Sequence, residues 1–278
     1  GWWCCCSTPG CAVFSDGFDR ADSLDLGTNW TEVGTPEIKS GQLFTEPNDG
    51  AVYKTQMRAQ GLYISVVLKD IQEGKEWTVY AVGGTPAQAV LHGILEIMPH
   101  KPDLVVSGIN YGENVATGIT ISGTVGAAME AASQGIPALA ASLEIHRSHH
   151  LTYSTEVDFS AAAFFTVFFA RKMLTRQFPA DVDLWKLDVP SDATRQTPWQ
   201  VTSLSHQRYY APVKPKRDSW EQRGPVDYEE AAILDGEERD SDVIVLRVGR
   251  RVSITPLSLD FTSRVPLGEL DRLLRSDE

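Results

Sequence analysis

Two asparagines and a Ser-Gly-Thr turn are the residues of this chain whose types and spacing most readily do chemistry. Asn110 and Asn114 follow the apolar run Leu104-Val105-Val106 by way of Ser107-Gly108-Ile109, and Ser122-Gly123-Thr124 stands shortly downstream. A helix that begins at Gly123 offers free N–H groups and the positive end of its dipole, a setting that holds an anion. Ser122 and Thr124 add hydroxyl donors, and Gly123 lets backbone approach closely. Taken alone, the tripeptide reads first as a plain helix cap, the commoner use of Ser at such a position. The run Leu104–Val106 has the continuous apolar character of a strand buried on both faces. In open α/β sheets ligands bind beyond the carboxyl ends of such strands. Ser107, Gly108, Asn110 and Asn114 therefore belong at a ligand-binding edge.

Other groups have simpler readings beside the chemical ones. His146, His149 and His150 lie in a polar stretch with Arg147; neighbouring histidines of this kind are exposed more often than they bind metal. Tyr209-Tyr210 with Lys214, Lys216 and Arg217 suits either base stacking with phosphate attraction or an extended hairpin arm. The run of acids from Asp227 to Asp242 reads as a solvated loop rather than a metal-binding or partner-binding tail.

The elements that must position these residues follow from the pattern. Residues 13–74 have β texture, with Leu62 to Leu68 as the clearest strand and polar turns between runs. From residue 76 strands and helices alternate. Trp77 to Val82 reads as a strand ending at Gly83-Gly84. Thr85 caps a helix with Pro86 at its first position, its face formed by Ala87, Val90, Leu91, Ile94 and Met98. A second helix opens at Gly123-Thr124 and stops near Gly135. Pro137 to Ser142 is the next strand, Asp158 caps an apolar helix through Leu174, and Leu184 to Val189 is another strand. This alternation predicts a parallel sheet covered by helices with right-handed connections. Val201 to Tyr210 and Asp242 to Thr255 read as further strands. Pro266 to Arg275 reads as a helix burying Leu267, Leu270, Leu273 and Leu274.

Composition narrows the function classes. The 278 residues carry 25 basic and 37 acidic side chains, a net charge of −12, which argues against duplex nucleic acid as a partner. The length suits one large domain or two modest ones. No apolar run reaches the roughly 18 residues of a membrane span, so no membrane role is expected. All four cysteines fall at Cys4, Cys5, Cys6 and Cys11, which fits neither a spread disulfide framework nor a zinc site. Residues 1–12 read as a disordered or artefactual N-terminus without a secretory signal. The cysteine-free remainder is compatible with a cytoplasmic setting.

The ordered set Gly84-Thr85-Pro86, Ser107-Gly108-Ile109-Asn110, Gly112, Asn114, Ser122-Gly123-Thr124-Val125, Gly135-Ile136-Pro137-Ala138 and Ser142-Leu143 closely resembles the SurE family. The resemblance continues through Asp188-Val189-Pro190, Gln207-Arg208-Tyr209-Tyr210 and Val252 to Leu257. It implies a Rossmann-like three-layer α/β core with a β-hairpin extension and metal-dependent 5′/3′-nucleotidase activity on nucleoside monophosphates. It also implies a divalent cofactor, Mg²⁺ or Mn²⁺, with Asn110 as one ligand, and phosphate binding by Ser122, Gly123 and Thr124. Gly84, Thr85, Ser107, Gly108 and Asn114 fall to the substrate loops, and assembly to a homodimer or homotetramer is implied.

The departures from the family pattern are specific. Its Asn-Asp-Asp-Gly motif, which supplies the metal carboxylates, does not occur in these 278 residues, and Asn48-Asp49-Gly50 is the nearest string. The expectation is therefore an impaired nucleotidase. The alternatives are a non-catalytic oligomerising or anion-binding protein of the same fold, or a carbohydrate-binding chain. The last rests on Phe14 to Thr31, which resembles the opening of a concanavalin-like jelly-roll module and predicts a partial β segment over residues 13–75 ahead of a nucleotidase-like domain over 76–278.

Overall fold

The computed structural model describes residues 2–5, 11–14, 37–39, 42–44, 63–69, 76–82, 84–146, 157–222, 224, 226–233 and 236–276. Six strands come first: β1 (Trp2–Cys5), β2 (Cys11–Phe14), β3 (Glu37–Lys39), β4 (Gln42–Phe44), β5 (Tyr63–Lys69) and β6 (Glu76–Val82). The alternating part runs α1 (Pro86–His92), β7 (Val105–Tyr111), α2 (Gly123–Ser133), β8 (Ala138–Leu143), α3 (Ser160–Thr175) and β9 (Leu184–Val189). β10 (Trp199–Val201), β11 (Tyr210–Val213), β12 (Asp227–Glu230), β13 (Val252–Leu257) and α4 (Leu267–Leu274) complete it.

Nine strands form one sheet in the order β10-β13-β9-β8-β7-β1-β2-β6-β5. β7, β8 and β9 run parallel, as the alternation requires. β13 joins β9 antiparallel, β1 is antiparallel to both β7 and β2, and β5 is antiparallel to β6. The sheet is thus mixed around a parallel centre.

Two apolar clusters lie on its opposite faces, because successive strand residues point to opposite sides. Val105, Ala138, Ala140 and Leu184 pack with Val90 of α1 and Val125, Ala128 and Ala131 of α2. Val106, Leu139, Ala141, Leu187 and Val189 pack with Ala162, Phe165 and Phe169 of α3. The alanines of α2 keep that helix close to the sheet, and the phenylalanines of α3 fill a deeper gap. The result is three layers.

Local chemistry explains the helix starts. Thr85 Oγ1 accepts from Gln88 N–H while Gln88 Oε1 accepts from Thr85 N–H at 2.8 Å, a reciprocal cap, and Pro86 follows at the first helical position. Asp158 accepts from both the N–H and the hydroxyl of Ser160 at the start of α3. Gly135, just past α2, takes φ +68°, as the sequence predicts for the residue that ends the helix.

Three expectations are corrected. The strand predicted over Val201–Tyr210 ends at Val201, because Thr202 turns inward and its hydroxyl bonds Ser253 and Thr255. Asp242–Thr255 is not one strand: Ile244–Val248 forms a π-helical turn. Ser241 Oγ accepts from Ile244 N–H and Asp242 Oδ1 from Val243 N–H, so side-chain caps override the β-branched character of the run. α4 forms as predicted, yet it buries no residue, and Leu267, Leu273 and Leu274 are exposed. β11 and β12 form a separate antiparallel hairpin, the arm that the Tyr209-Tyr210 stretch allows.

Most of the jelly-roll-like stretch, and with it Asn48-Asp49-Gly50, His149 and His150, lies outside the described residues. No described helix is long and apolar enough to cross a membrane.

Candidate ligand site at the carboxyl ends of the parallel strands

The residues singled out in the sequence meet at the carboxyl ends of β7, β8 and β9. β7 carries a register shift between Ser107 and Asn110 where it lies against β8. Gly108 stands in that shift at φ +121°, and a Cβ there would come within 2.2 Å of the Ala141 carbonyl oxygen. Only glycine admits this approach. Ser107 is buried, and its hydroxyl donates to the Thr124 carbonyl at 2.7 Å, tying the strand end to the first turn of α2.

The loop after β7 is held from within and from below. Asn110 Nδ2 donates to the Gly112 carbonyl at 2.7 Å, which orients the amide and leaves Oδ1 as its acceptor end. Asn114 Nδ2 donates to Ser142 Oγ, and Asn114 N–H donates to Asp188 Oδ1, both at 2.8 Å. Asn110, Ser142 and Asp188 are register partners across the three strands.

At the start of α2, Ser122 Oγ accepts from Val125 N–H at 3.1 Å, and Ser122 carbonyl accepts from Gly126 N–H at 2.9 Å. The cap is therefore real, but it does not exhaust the turn. The Ser122 hydroxyl keeps its proton to donate, and the N–H groups of Gly123 and Thr124 have no intrahelical acceptor. Gly123 has a further structural role. A Cβ there would lie 2.9 Å from Pro86 Cγ, so glycine lets the starts of α1 and α2 touch. Gly84, at φ +139°, lies against the Gln88 side chain that caps α1. Gly84, Thr85, Ser107, Gly108, Asn110, Asn114, Ser122, Gly123 and Thr124 thus share one neighbourhood. It can hold an anion by two N–H groups, a hydroxyl and the helix dipole, with two fixed amides alongside.

Beneath the site lies a buried charge cluster that sequence reasoning missed. Lys186 is fully buried, with Nζ 2.5 Å from Asp188 Oδ2 and 3.0 Å from Asp242 Oδ2. Asp242 also accepts from the N–H groups of Ala116, Ser205 and Val243. Desolvation alone would push the Lys186 pKa down, but the two carboxylates outweigh it and hold it above the ordinary lysine value. One cation serves two carboxylates, and burial raises Asp188 above its ordinary range despite Lys186. A lysine inside the apolar strand Leu184–Val189 was the available signal. Asp242 itself sits in the run read as a solvated loop, and that reading is corrected for it.

A second network flanks the loop. Glu113 Oε1 accepts from the Tyr210 hydroxyl and from Arg247 Nη1. Arg247 also reaches Glu144 at 2.8 Å and Glu230 at 2.6 Å, and Tyr209 donates to Glu230. Tyr209 and Tyr210 are therefore tied by their hydroxyls and pack edge to face on each other. Lys214, Lys216 and Arg217 are exposed, Arg217 lying over the Trp220 ring. Desolvation pushes the Glu144 pKa up, but bonds from Arg250 and Ser191 reverse this and leave it below the usual carboxylate value.

The donor set does not fit the divalent ion that the resemblance implies. Mg²⁺ prefers octahedral oxygen ligands with at least one carboxylate. Asn110 offers one neutral oxygen, while Asp188, Asp242 and Glu113 are committed to Lys186, Tyr210 and Arg247. Among the described residues no group of three or more His, Cys, Asp or Glu stands together to hold a metal.

Comparison with known proteins places this geometry. A model of the family described as Survival protein SurE matches residues 52–211. A 5′-nucleotidase SurE of Thermococcus gammatolerans is 36% identical over 217 residues, covering 78% of this chain and 80% of its own. That of Methanocaldococcus jannaschii is 40% identical over 213 residues, covering 74% and 76%. The crystal structure of the SurE protein of Aquifex aeolicus superposes with a TM-score of 0.56 at 27% identity, over 76% of this chain and 79% of that one.

Proposed function

The chain belongs to the SurE family, and on that premise we propose that it hydrolyses the phosphate monoester of nucleoside 5′-monophosphates at the carboxyl ends of β7, β8 and β9. One observation carries the reading: the first turn of α2, whose leading N–H groups lack an intrahelical acceptor, is tied by the Ser107–Thr124 bond to the strand whose end and following loop bear two asparagines fixed by their own hydrogen bonds. The phosphoryl group rests on Gly123 N–H, Thr124 N–H and the Ser122 hydroxyl. These donors bind the dianion and oppose the charge that develops as the ester bond breaks. Asn110 and Asn114 orient the ester and its sugar. Because the asparagines are anchored to Gly112 and Ser142, they need no reorganisation when substrate enters. No step is assigned to a metal ion, since Asp188, Asp242 and Glu113 are committed elsewhere. We read the working form as a cytoplasmic homo-oligomer.

That commitment supports a second reading, a family member that binds anions without turnover. The test is phosphate release by the full chain from adenosine 5′-monophosphate, with and without Mn²⁺, against Asn110→Ala. Release that falls about tenfold or more in the variant supports the proposal. Equal rates overturn the assigned site. Inorganic phosphate binding without any release singles out the second reading.

A further inference from the structure

Glu113 lies in the loop between the two asparagines, and its side chain is wholly buried. Its contacts reach outward, to the hairpin and to the π-helical turn. We propose that Glu113 is a positioning residue: it clamps the β11–β12 hairpin onto the segment that carries Asn110 at the end of β7 and Asn114 in the loop after it, so that the hairpin controls how this segment meets substrate. The link to substrate rests on the function proposed above; the clamp itself does not.

The geometry is specific. Tyr210, the first residue of β11, donates its hydroxyl to Glu113 Oε1 at 2.5 Å. Arg247 donates to the same oxygen at 3.2 Å and to Glu230, the last residue of β12, at 2.6 Å. Both strands of the hairpin are thus fastened to one carboxyl group, directly through Tyr210 and by way of Arg247. The other oxygen, Oε2, is buried without a hydrogen-bond partner among the described residues. A buried carboxylate with one bare oxygen is unfavourable as an anion.

The charges around it act the same way. From the hairpin it faces Tyr209, Tyr210 and Glu230; from the end of β8, Glu144; from the π-helical turn, Arg247. Arg250 and Asp192 stand behind Glu144 and pair with each other. Three carboxylates compete for the Arg247 guanidinium. Burial pushes the Glu113 pKa up to about 7, against the pull of the Tyr210 hydroxyl and Arg247. The proton belongs on Oε2, since Oε1 accepts both donors. When the hairpin lifts away, water reaches Glu113 and its pKa returns toward 4.5. The clamped state therefore binds the proton more tightly, and rising pH weakens the clamp between those two values.

The test is amide hydrogen exchange in β11 and β12 of the full chain at about pH 5.5 and about pH 8. Rates are corrected for intrinsic exchange and read against β8, so that general destabilisation divides out. In the native chain the hairpin's protection should fall about tenfold or more at the higher pH. Glu113→Gln keeps an acceptor for Tyr210 but cannot titrate, and its protection should not change with pH. Tyr210→Phe should lower hairpin protection at both values. A native hairpin indifferent to pH, a Gln variant that follows the native curve, or an unaltered Phe variant each overturns the clamp. Where phosphate release is measurable, Tyr210→Phe should raise KM more than it lowers kcat, and Glu113→Gln should remove the limb near neutrality. Absence of release overturns the nucleotidase reading alone, because exchange reads the clamp without substrate.

Discussion

Asp188 receives the Asn114 N–H on one carboxylate oxygen and the Lys186 ammonium on the other, at 2.8 and 2.5 Å. The loop after β7 therefore rests directly on a buried ion cluster. A change to the cluster must be felt at the loop, although both Lys186 and Asp242 are buried.

Lys186→Met should destabilise the fold by about 3–5 kcal/mol, because it leaves two buried carboxylates without their cation. The variant should regain part of this stability in acid, where Asp188, already raised by burial, takes up a proton. Urea denaturation across pH checks both statements. A variant as stable as the native chain at neutral pH would show that the cluster does not hold the fold.

Glu113 gives native stability a pH dependence of defined sign. Its pKa rises from 4.5 to about 7 on folding, so its contribution is fully present below 4.5 and is lost as pH rises through 7. The shift corresponds to an upper limit of about 3 kcal/mol. Glu144 is shifted the other way, so its contribution is lost only as pH falls below the ordinary carboxylate range. Thermal melts of Glu113→Gln should lack the decline between these pH values.

Gly108→Ala should be among the most damaging single changes. The new Cβ meets the Ala141 carbonyl oxygen at 2.2 Å, in a backbone conformation that L side chains rarely adopt. Strain of roughly 1–3 kcal/mol from the dihedral angle alone adds to the clash. A chemical melt unchanged from the native protein would contradict the close approach of β7 to β8.

Ser122→Ala removes a cap and a phosphate donor together. Loss of the cap should lower stability by about 1 kcal/mol. Inorganic phosphate should then bind at least about tenfold more weakly, as expected when a charge-assisted bond is lost. Calorimetric titration separates the two effects, since Ser122→Gly costs only a few tenths of a kcal/mol in capping yet lacks the same hydroxyl.

The alternating core was readable because its signals are local. Pro86 at a helix start, Gly135 at a helix end and the strand Leu184–Val189 each bring their own constraint, and all three appear where the pattern puts them. The pairing of Lys186 with Asp242 was not readable, because one partner sits in a strand and the other in an acidic run far along the chain. The run after Asp242 failed for a related reason. Val243 to Val248 suits a strand by composition, and only the caps from Ser241 and Asp242 decide for a turn. For α4 the amphipathic period was correct, but a period shows that a face is apolar, not that anything covers it. Ser122, Gly123 and Thr124 were legible as a motif, whereas the need for Gly123 emerged only from its distance to Pro86.

The bond from Ala116 N–H to Asp242 spans 126 residues of sequence. Loop closure over such a distance is slow relative to local helix formation. A ribosome that has not yet delivered Asp242 leaves Lys186 with one carboxylate and the backbone at Ala116 without its acceptor. The helices and parallel strands can form during synthesis, but the floor of the ligand site assembles only after Asp242 has emerged. The join between the loop after β7 and the distant Asp242 is thus one of the last features the nascent chain acquires.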